Sequence, residues 1–553
     1  MIKNLIQRAK KGESVYISEI RDAFSSFEPN VDCIVETPSG EIRRWSIFIP
    51  EISDTEEASF IEKYFHSSIY NIISAYGGKH MTLDIPADNR HIRRLCESLD
   101  HVFQIEKRRV DRSGYGKCLN VTDRINAAMG HSPFRFVISE SKGDISAEHL
   151  YRKPKIDSIK AFQNTVKATS DKVIIGLDIG GTDIKAVGAI NRNISAYMEY
   201  DWNPASMTKI EQMSDGVCYV VKKICSLMGE SVFPDAIGVG FPDVVINNKI
   251  VGGETLKTRG IRRASSEYEK EFAKLLNLNK LLLSFCKPGA VISMTNDGSL
   301  AAYTAAVELA HSNRACDVKH GVFAHTLGTE LGTGWVDEKG EIPQIPLEIY
   351  NCVIDLGNYP AGLYKPFDLR STLNFNTEIA GTMQKYASQS GAYRLALEYF
   401  TKNEPGQYSE LLKRGFIQEK ESGVYVVTSP NDMRKPMLEF IMKLADDGEP
   451  QAEKVFREIG KYLAATWLET EFLLSPNAKK RILYGRFVKS RRCMQLMQEG
   501  ASEIQKITFE AGDDSLAFTP LMKQLTENPS YTVAQFGQAI GAIHFAAGIP
   551  GVD

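Results

Sequence analysis

"VIIGLDIGGTDIKAVGAI", residues 173–190, sets a carboxylate at the end of an apolar run. Val173-Ile174-Ile175 and Lys185–Ile190 have the character of two strands, and Gly180-Gly181 between them is a hairpin signal. Asp is depleted in strands, and an ionised carboxylate taken from water without a partner is costly. Asp178, followed by Thr182 and Lys185, therefore has two readings. Either the hairpin has a polar tip, or the turn is shaped to hold something charged. Glycine amides approach a phosphate closely because no Cβ intervenes, and successive amides form an anion-binding concavity. Asp178 would then hold a phosphate-bound Mg2+ through water. The spacing is not that of a Walker A loop.

The chain around this turn has 553 residues, 43% hydrophobic and 24% charged. That length suggests about two to four domains, and the composition excludes disordered and collagen-like classes. A net charge of −3 gives no electrostatic reason for a nucleic acid or an anionic membrane as partner. No apolar run approaches the roughly 18–20 residues that span a bilayer. The stretch "MIKNLIQRAKKGESVYISEI" lacks the apolar core of a signal peptide, so a cytoplasmic location is expected. The nine cysteines form no Cys-x-x-Cys pair and read as small core residues.

A boundary is expected near residue 170, where "KPKIDSIKAFQNTVKATSDK" interrupts the strand pattern. Before it, residues 1–165 read as an α+β domain of unknown role. It has a hairpin around Pro38-Ser39-Gly40, a helix over 56–76, a strand at "KHMTLDIP" and a helix at "NRHIRRLCESL". Beyond it, strands and helices alternate as in α/β lobes: a first lobe over 170–312 and a second over 313–553, with a mainly helical insertion at about 376–475. "LGTELGTG", residues 327–334, is a second glycine turn about 150 residues after the first. Two such hairpins look like a duplicated lobe, with a ligand in the cleft between.

The third chemical piece is "VISMTNDGSLAAYTAAVE", a short apolar strand that delivers Asn296-Asp297 to the start of a helix. Asp297 reads as a helix N-cap or as a general base that accepts a hydroxyl proton during attack on a phosphoryl group. The two roles are compatible.

The order of these pieces resembles the ROK (repressor, open reading frame, kinase) sugar kinases, which have the two-lobed actin-like ATPase (ribonuclease H-like) fold. The resemblance is distributed over about 380 residues and includes "LDIGGTDIK", "IGVGFPDVV", "TNDGSLAAYTAAVE", "TLGTELGTGWVDEKGEI", "GTMQKYASQSGA", "LLSPNAKKRILYGR" and "GQAIGAIHFAA"; it does not reach residues 1–165. It implies ATP- and Mg2+-dependent phosphorylation of a hexose or hexose derivative. Asp178 would position Mg2+, with Gly180, Gly181, Thr182 and Lys185 at the ATP phosphates. Gly328 and Thr329 would hold the phosphates from the other lobe, and Gly485 would lie in the adenosine loop. Asp297 would be the base, with Asn296, Glu348 and Asn351 beside the sugar. A homodimer, common in the family, is the implied assembly.

The departures are specific. The family's Glu-x-Gly-His reads "EIYN", so Asn351 replaces the zinc-ligating His, and the loop before "GTMQKYAS" has no cysteine. No structural zinc is therefore expected. Gln384 stands where the family often has Glu, Glu330 enters the second phosphate turn, and Arg486 replaces one of a Gly-Gly pair. Arg259, Arg262 and Arg263 read as a solvated basic loop or as contacts to an acidic sugar. The alternatives to a kinase are a sugar-sensing ROK-type regulator and a noncatalytic sugar-binding scaffold. Against the regulator, the N-terminal segment contains strands and no evident basic recognition helix.

Overall fold

Strands Val31–Glu36 (β1) and Ile42–Ile47 (β2) pair antiparallel around the expected Pro38-Ser39-Gly40 turn. In β1 the side chains of Val31, Cys33 and Val35 go inward and alternate with more exposed residues, as in a half-buried strand. Helix Thr55–Tyr76 (α1) follows, capped by Asp54, which accepts the Glu57 amide at 2.9 Å. His80–Asp84 (β3) pairs antiparallel with β1, and after helix Cys118–Ala128 (α2) the strand Phe136–Ser139 (β4) pairs parallel with β3. The computed structural model describes residues 1–28, 30–140, 157–252, 256–328, 331–357, 372–374, 376–421, 425–428, 433–478 and 480–548.

The first lobe is a five-stranded sheet. Val173–Ile179 (β5), Asp183–Ile190 (β6) and Asn193–Asp201 (β7) form an antiparallel meander. Ala236–Phe241 (β8) joins β5 in parallel; its six residues are all buried, as suits a strand covered on both faces. After the small hairpin Val245–Ile246 (β9) and Lys249–Ile250 (β10), Val291–Asn296 (β11) extends the sheet to the order β11-β8-β5-β6-β7. Helix Asp297–Ala310 (α3) starts where β11 ends, and Gly298 through Ala310 are buried. Such a helix belongs between layers.

The second lobe repeats the theme. Val322–Leu327 (β12) and Leu331–Val336 (β13) form a hairpin. The pair Gln418–Glu421 (β14) and Tyr425–Thr428 (β15) stands apart, and the long helix Pro450–Leu474 (α4) precedes Lys480–Gly485 (β16) and Glu510–Ala511 (β17). The order is β13-β12-β16-β17, with β16 parallel to both neighbours. The final helix, Val533–Gly548 (α5), returns to the first lobe and packs across β5, β6 and β8. A hairpin followed by parallel crossovers, twice, is the two-lobed actin-like arrangement. Among the described residues no helix is long and apolar enough to cross a membrane.

The N-terminal segment is built into this frame. Phe60, Tyr64 and Ile69 belong to the same buried cluster as Phe323 and Trp467. Arg43 and Trp45 on β2 donate to the carbonyls of Phe472, Leu473 and Leu474, satisfying orphan acceptors at the end of α4. In the buried centre Arg21 meets Glu469 at 2.7 Å, and Asn71 donates to Glu469 at 2.9 Å and to the Val353 carbonyl at 2.8 Å. The segment also reaches the first lobe. Val121 and Ile125 of α2 pack on Val244, Ile246 and Val251, while Arg109 and Arg124 both bond Glu269. It thus touches both lobes.

Removing one partner of a buried ion pair strands the other charge, at a cost of about 3–5 kcal/mol. Arg21→Ala is expected to lower Tm by several degrees. Calorimetry of the native chain should show no separate low-temperature transition for residues 1–165; a separate one would mean an independently folding unit.

Candidate functional site

The β5–β6 turn is held from behind by Trp202, whose indole donates to Gly180 O at 3.0 Å and whose amide donates to Thr182 O at 3.0 Å. The expected hairpin is present, but neither Gly180 nor Gly181 takes a positive φ, so its turn is not of the primed kind. The glycines serve for room instead: a Cβ on Gly180 would lie 3.0 Å from the Asp183 carbonyl, and one on Gly181 would lie 3.3 Å from Lys257 Cε. Gly181 and Thr182 are exposed.

Asp178 closes β5 beneath this turn. Its carboxyl is pushed up to about 7, chiefly by burial; Lys185 and Lys257 oppose that shift, while Asp297 and Asp183 add to it. The carboxyl therefore senses both the turn and the start of α3. Among the described residues no three carboxylate, His or Cys side chains gather closely enough to hold a metal directly; a divalent cation held by Asp178 through water would favour its ionised form. Lys185, expected at the phosphates, is engaged otherwise: it pairs with Asp183 and stands 3.9 Å from Glu199.

At the start of α3 the cap is Asn296, not Asp297. Asn296 Oδ1 accepts the amides of Gly298 at 2.9 Å and Ser299 at 3.3 Å, and its Nδ2 donates to Asp243 O at 3.0 Å. Those contacts make Asn296 the cap of the helix. Asp297 is the first helical residue, about one-third exposed, with Lys257 Nζ 3.8 Å from its Oδ2. Lys257 also donates to Pro242 O at 3.2 Å. Nothing local in the sequence around Lys257 predicts its contact with Asp297.

The lobes meet at α3. A Cβ on Gly298 would lie 2.2 Å from Thr333 O, and one on Gly334 would lie 1.8 Å from Gly298 O. Only glycines allow β13 this close to the helix start. In the second lobe Leu327 and Gly485 are register partners, and Gly485 has φ 101° with its Cβ position 2.2 Å from Leu327 O. Gly328 and Gly485 therefore sit at neighbouring strand ends, and Gln389 N donates to Gly328 O at 3.0 Å. Thr329 and Glu330 lie outside the described residues. Arg486 pairs with Glu439. Arg262 bonds Thr258 Oγ1 at 2.7 Å, whereas Arg259 and Arg263 are exposed.

Glu348 is buried. Tyr350 donates to its Oε1 at 2.8 Å and Asn351 to its Oε2 at 2.9 Å. Asn351 Oδ1 in turn accepts from Asn374 Nδ2 at 2.9 Å. The Asn351 side chain thus bridges Glu348 and Asn374. An amide donating through nitrogen and accepting through oxygen, beside the carbonyl-bound thiol Cys352, does not fit a zinc centre.

No family model matches the chain, and no curated protein does. Among solved structures, a ROK family glucokinase from Streptomyces griseus, in complex with glucose and AMPPNP, matches with TM-score 0.43 and 18% identity, covering 68% of this chain and 99% of that one. A ROK hexokinase from Thermus thermophilus gives TM-score 0.41 and 13% identity, covering 68% and 98%. A ROK family transcriptional regulator, a homologue of the Escherichia coli MLC protein, gives 0.39 and 12%, covering 68% and 82%. The fold assignment rests on the strand orders of the two sheets.

An aspartate whose folded pKa is raised from 3.8 to about 7 leaves the fold unaffected below the lower value and costs stability as pH climbs through the upper one. Asp178→Asn should therefore raise Tm by a few degrees at pH 8 and leave it unchanged at pH 4. Thermal scans at the two pH values check this; an equal shift at both would place the carboxylate outside the titration.

Proposed function

We propose that the chain transfers the γ-phosphoryl group of ATP to a hydroxyl of a hexose or hexose derivative, with Mg2+ and with Asp297 as general base. The observation that supports this most is the division of labour at the start of α3. Asn296 accepts the Gly298 and Ser299 amides, so Asp297, whose Oδ1 also accepts the Gly298 amide at 2.8 Å, keeps Oδ2 for Lys257 at 3.8 Å and is close enough to Asp178 to raise its pKa. A base held in this way needs orientation more than high basicity.

Asp297 takes the proton of the attacking hydroxyl as its oxygen bonds to phosphorus and the bond to the ADP oxygen breaks. Lys257 stabilises charge on the transferring group, and the exposed Gly181-Thr182 turn faces the phosphates, the Gly180 amide being taken by the Asp183 carbonyl at 2.8 Å. Mg2+, when held by Asp178, supplies charge neutralisation of the triphosphate. Gly328 and Gly485 flank the nucleotide from the second lobe, and Glu348 binds sugar hydroxyls. The unusual 1–165 segment is read as part of the sugar end of the cleft.

ADP release from Mg-ATP, measured across hexoses, N-acetylhexosamines and sugar acids, tests the reading. Sugar-dependent turnover is expected, with Asp297→Asn lowering kcat by at least about 100-fold, the ordinary contribution of a general base. Lys257→Ala should lower kcat more than it raises the sugar KM. Sugars that raise Tm without any turnover would replace the kinase by a sugar-binding regulator or scaffold.

A further inference from the structure

The loop that carries Glu348 is fastened on both faces by hydrogen bonds. On the side-chain face, the amides of Asn376 at 2.8 Å and Thr377 at 3.3 Å donate to Asn374 Oδ1. Asn374 Nδ2 donates to Asn351 Oδ1, and Asn351 Nδ2 donates to Glu348 Oε2. Every member is buried: Asn374 is 1% exposed, Asn351 2% and Glu348 5%. The direction of donation is set at both ends. Backbone amides can only donate to Asn374, and a carboxylate can only accept from Asn351, so neither amide can flip.

On the backbone face, Leu347 N and Glu348 N donate to the carbonyls of Ala75 and Ser74, at 3.0 and 3.1 Å. Those carbonyls lie in the last turn of α1, where a helix has no partner of its own for them. One turn earlier, Asn71 exchanges two bonds with Val353, accepting its amide at 2.7 Å and donating to its carbonyl at 2.8 Å. Leu347 itself has φ 52°, a strained conformation for a leucine that persists only where its surroundings over-determine it.

We propose that this asparagine relay, Asn374–Asn351, together with the α1 end and Asn71 of the N-terminal segment, positions Glu348 in place of a metal. Asn351, Asn374 and Asn71 are positioning residues; Glu348 is the group that would touch sugar. The inference deepens the kinase reading and rests on it for the identity of the ligand, but not for the brace itself.

The test combines three measurements on the full chain. Elemental analysis of protein purified without chelator should find well under one zinc per chain, and 1,10-phenanthroline should leave Tm unchanged. Hydrogen exchange at the amides of residues 347–353 should speed by about tenfold or more in Asn374→Ala, with the core strands unaffected. Loss of a bracing partner should raise the sugar KM by about 10–100-fold while kcat changes little. Asn374→Asp keeps the acceptor for the 376 and 377 amides but can donate to Asn351 only when protonated. Its KM defect, relative to the native chain, should therefore ease as pH falls from 8 to 6, which a merely structural role would not produce.

Stoichiometric zinc whose removal lowers Tm overturns the proposal. So does unchanged exchange at 347–353 in both Asn374 variants. A native chain that turns over no sugar removes the kinase reading, and the metal and exchange arms still decide the brace.

Discussion

The arrangement of the molecule depends on one close contact, the meeting of Gly298 with Gly334. It lets β13 of the second lobe touch the first turn of α3, which is itself the continuation of β11 in the first lobe. A side chain at either position would push sheet and helix apart. Because Asp297 precedes Gly298, that contact also sets where the carboxylate stands relative to Asp178 and Lys257. Packing of the lobes and placement of Asp297 are a single geometric fact.

Much of this could be read along the chain where the signal is local. The strand before Asp178, the strand running into Asn296 and the helix after it carry apolar runs with clear ends, and the structure has them within a few residues. Asp297 stands at the helix start as its sequence suggests. The choice of cap was not legible: Asn and Asp are equally good capping residues, and only the long-range bond from Asn296 to Asp243 O separates them. The shape of the Gly180-Gly181 turn was not legible for a related reason, since Trp202 and Lys257, both distant in sequence, lie against it.

The brace at Glu348 was legible only as a loss. Asn351 in place of a histidine and a loop without cysteines predict that something is missing. They do not say what takes its place, because Asn374 and the carbonyls of α1 come from elements with no pattern linking them to "EIYN". Buried amides of this kind are costly unless every group is paired, and fully paired they specify one arrangement of the loop. The N-terminal segment, which resembled nothing, supplies part of that pairing.

The pairing of Arg21 with Glu469 has a temporal side. These residues are 448 positions apart, and β2 likewise waits for the end of α4 at Leu473 and Leu474. At a synthesis rate of 5–20 residues per second, the first-made part of the chain stands without its partner for roughly 20–90 s. During that interval α1 lacks Phe323 and Trp467, which share its buried cluster, for as long as each is unmade. The buried centre closes only when α4 arrives, so the earlier-made segment has the greatest need of chaperone cover before that point.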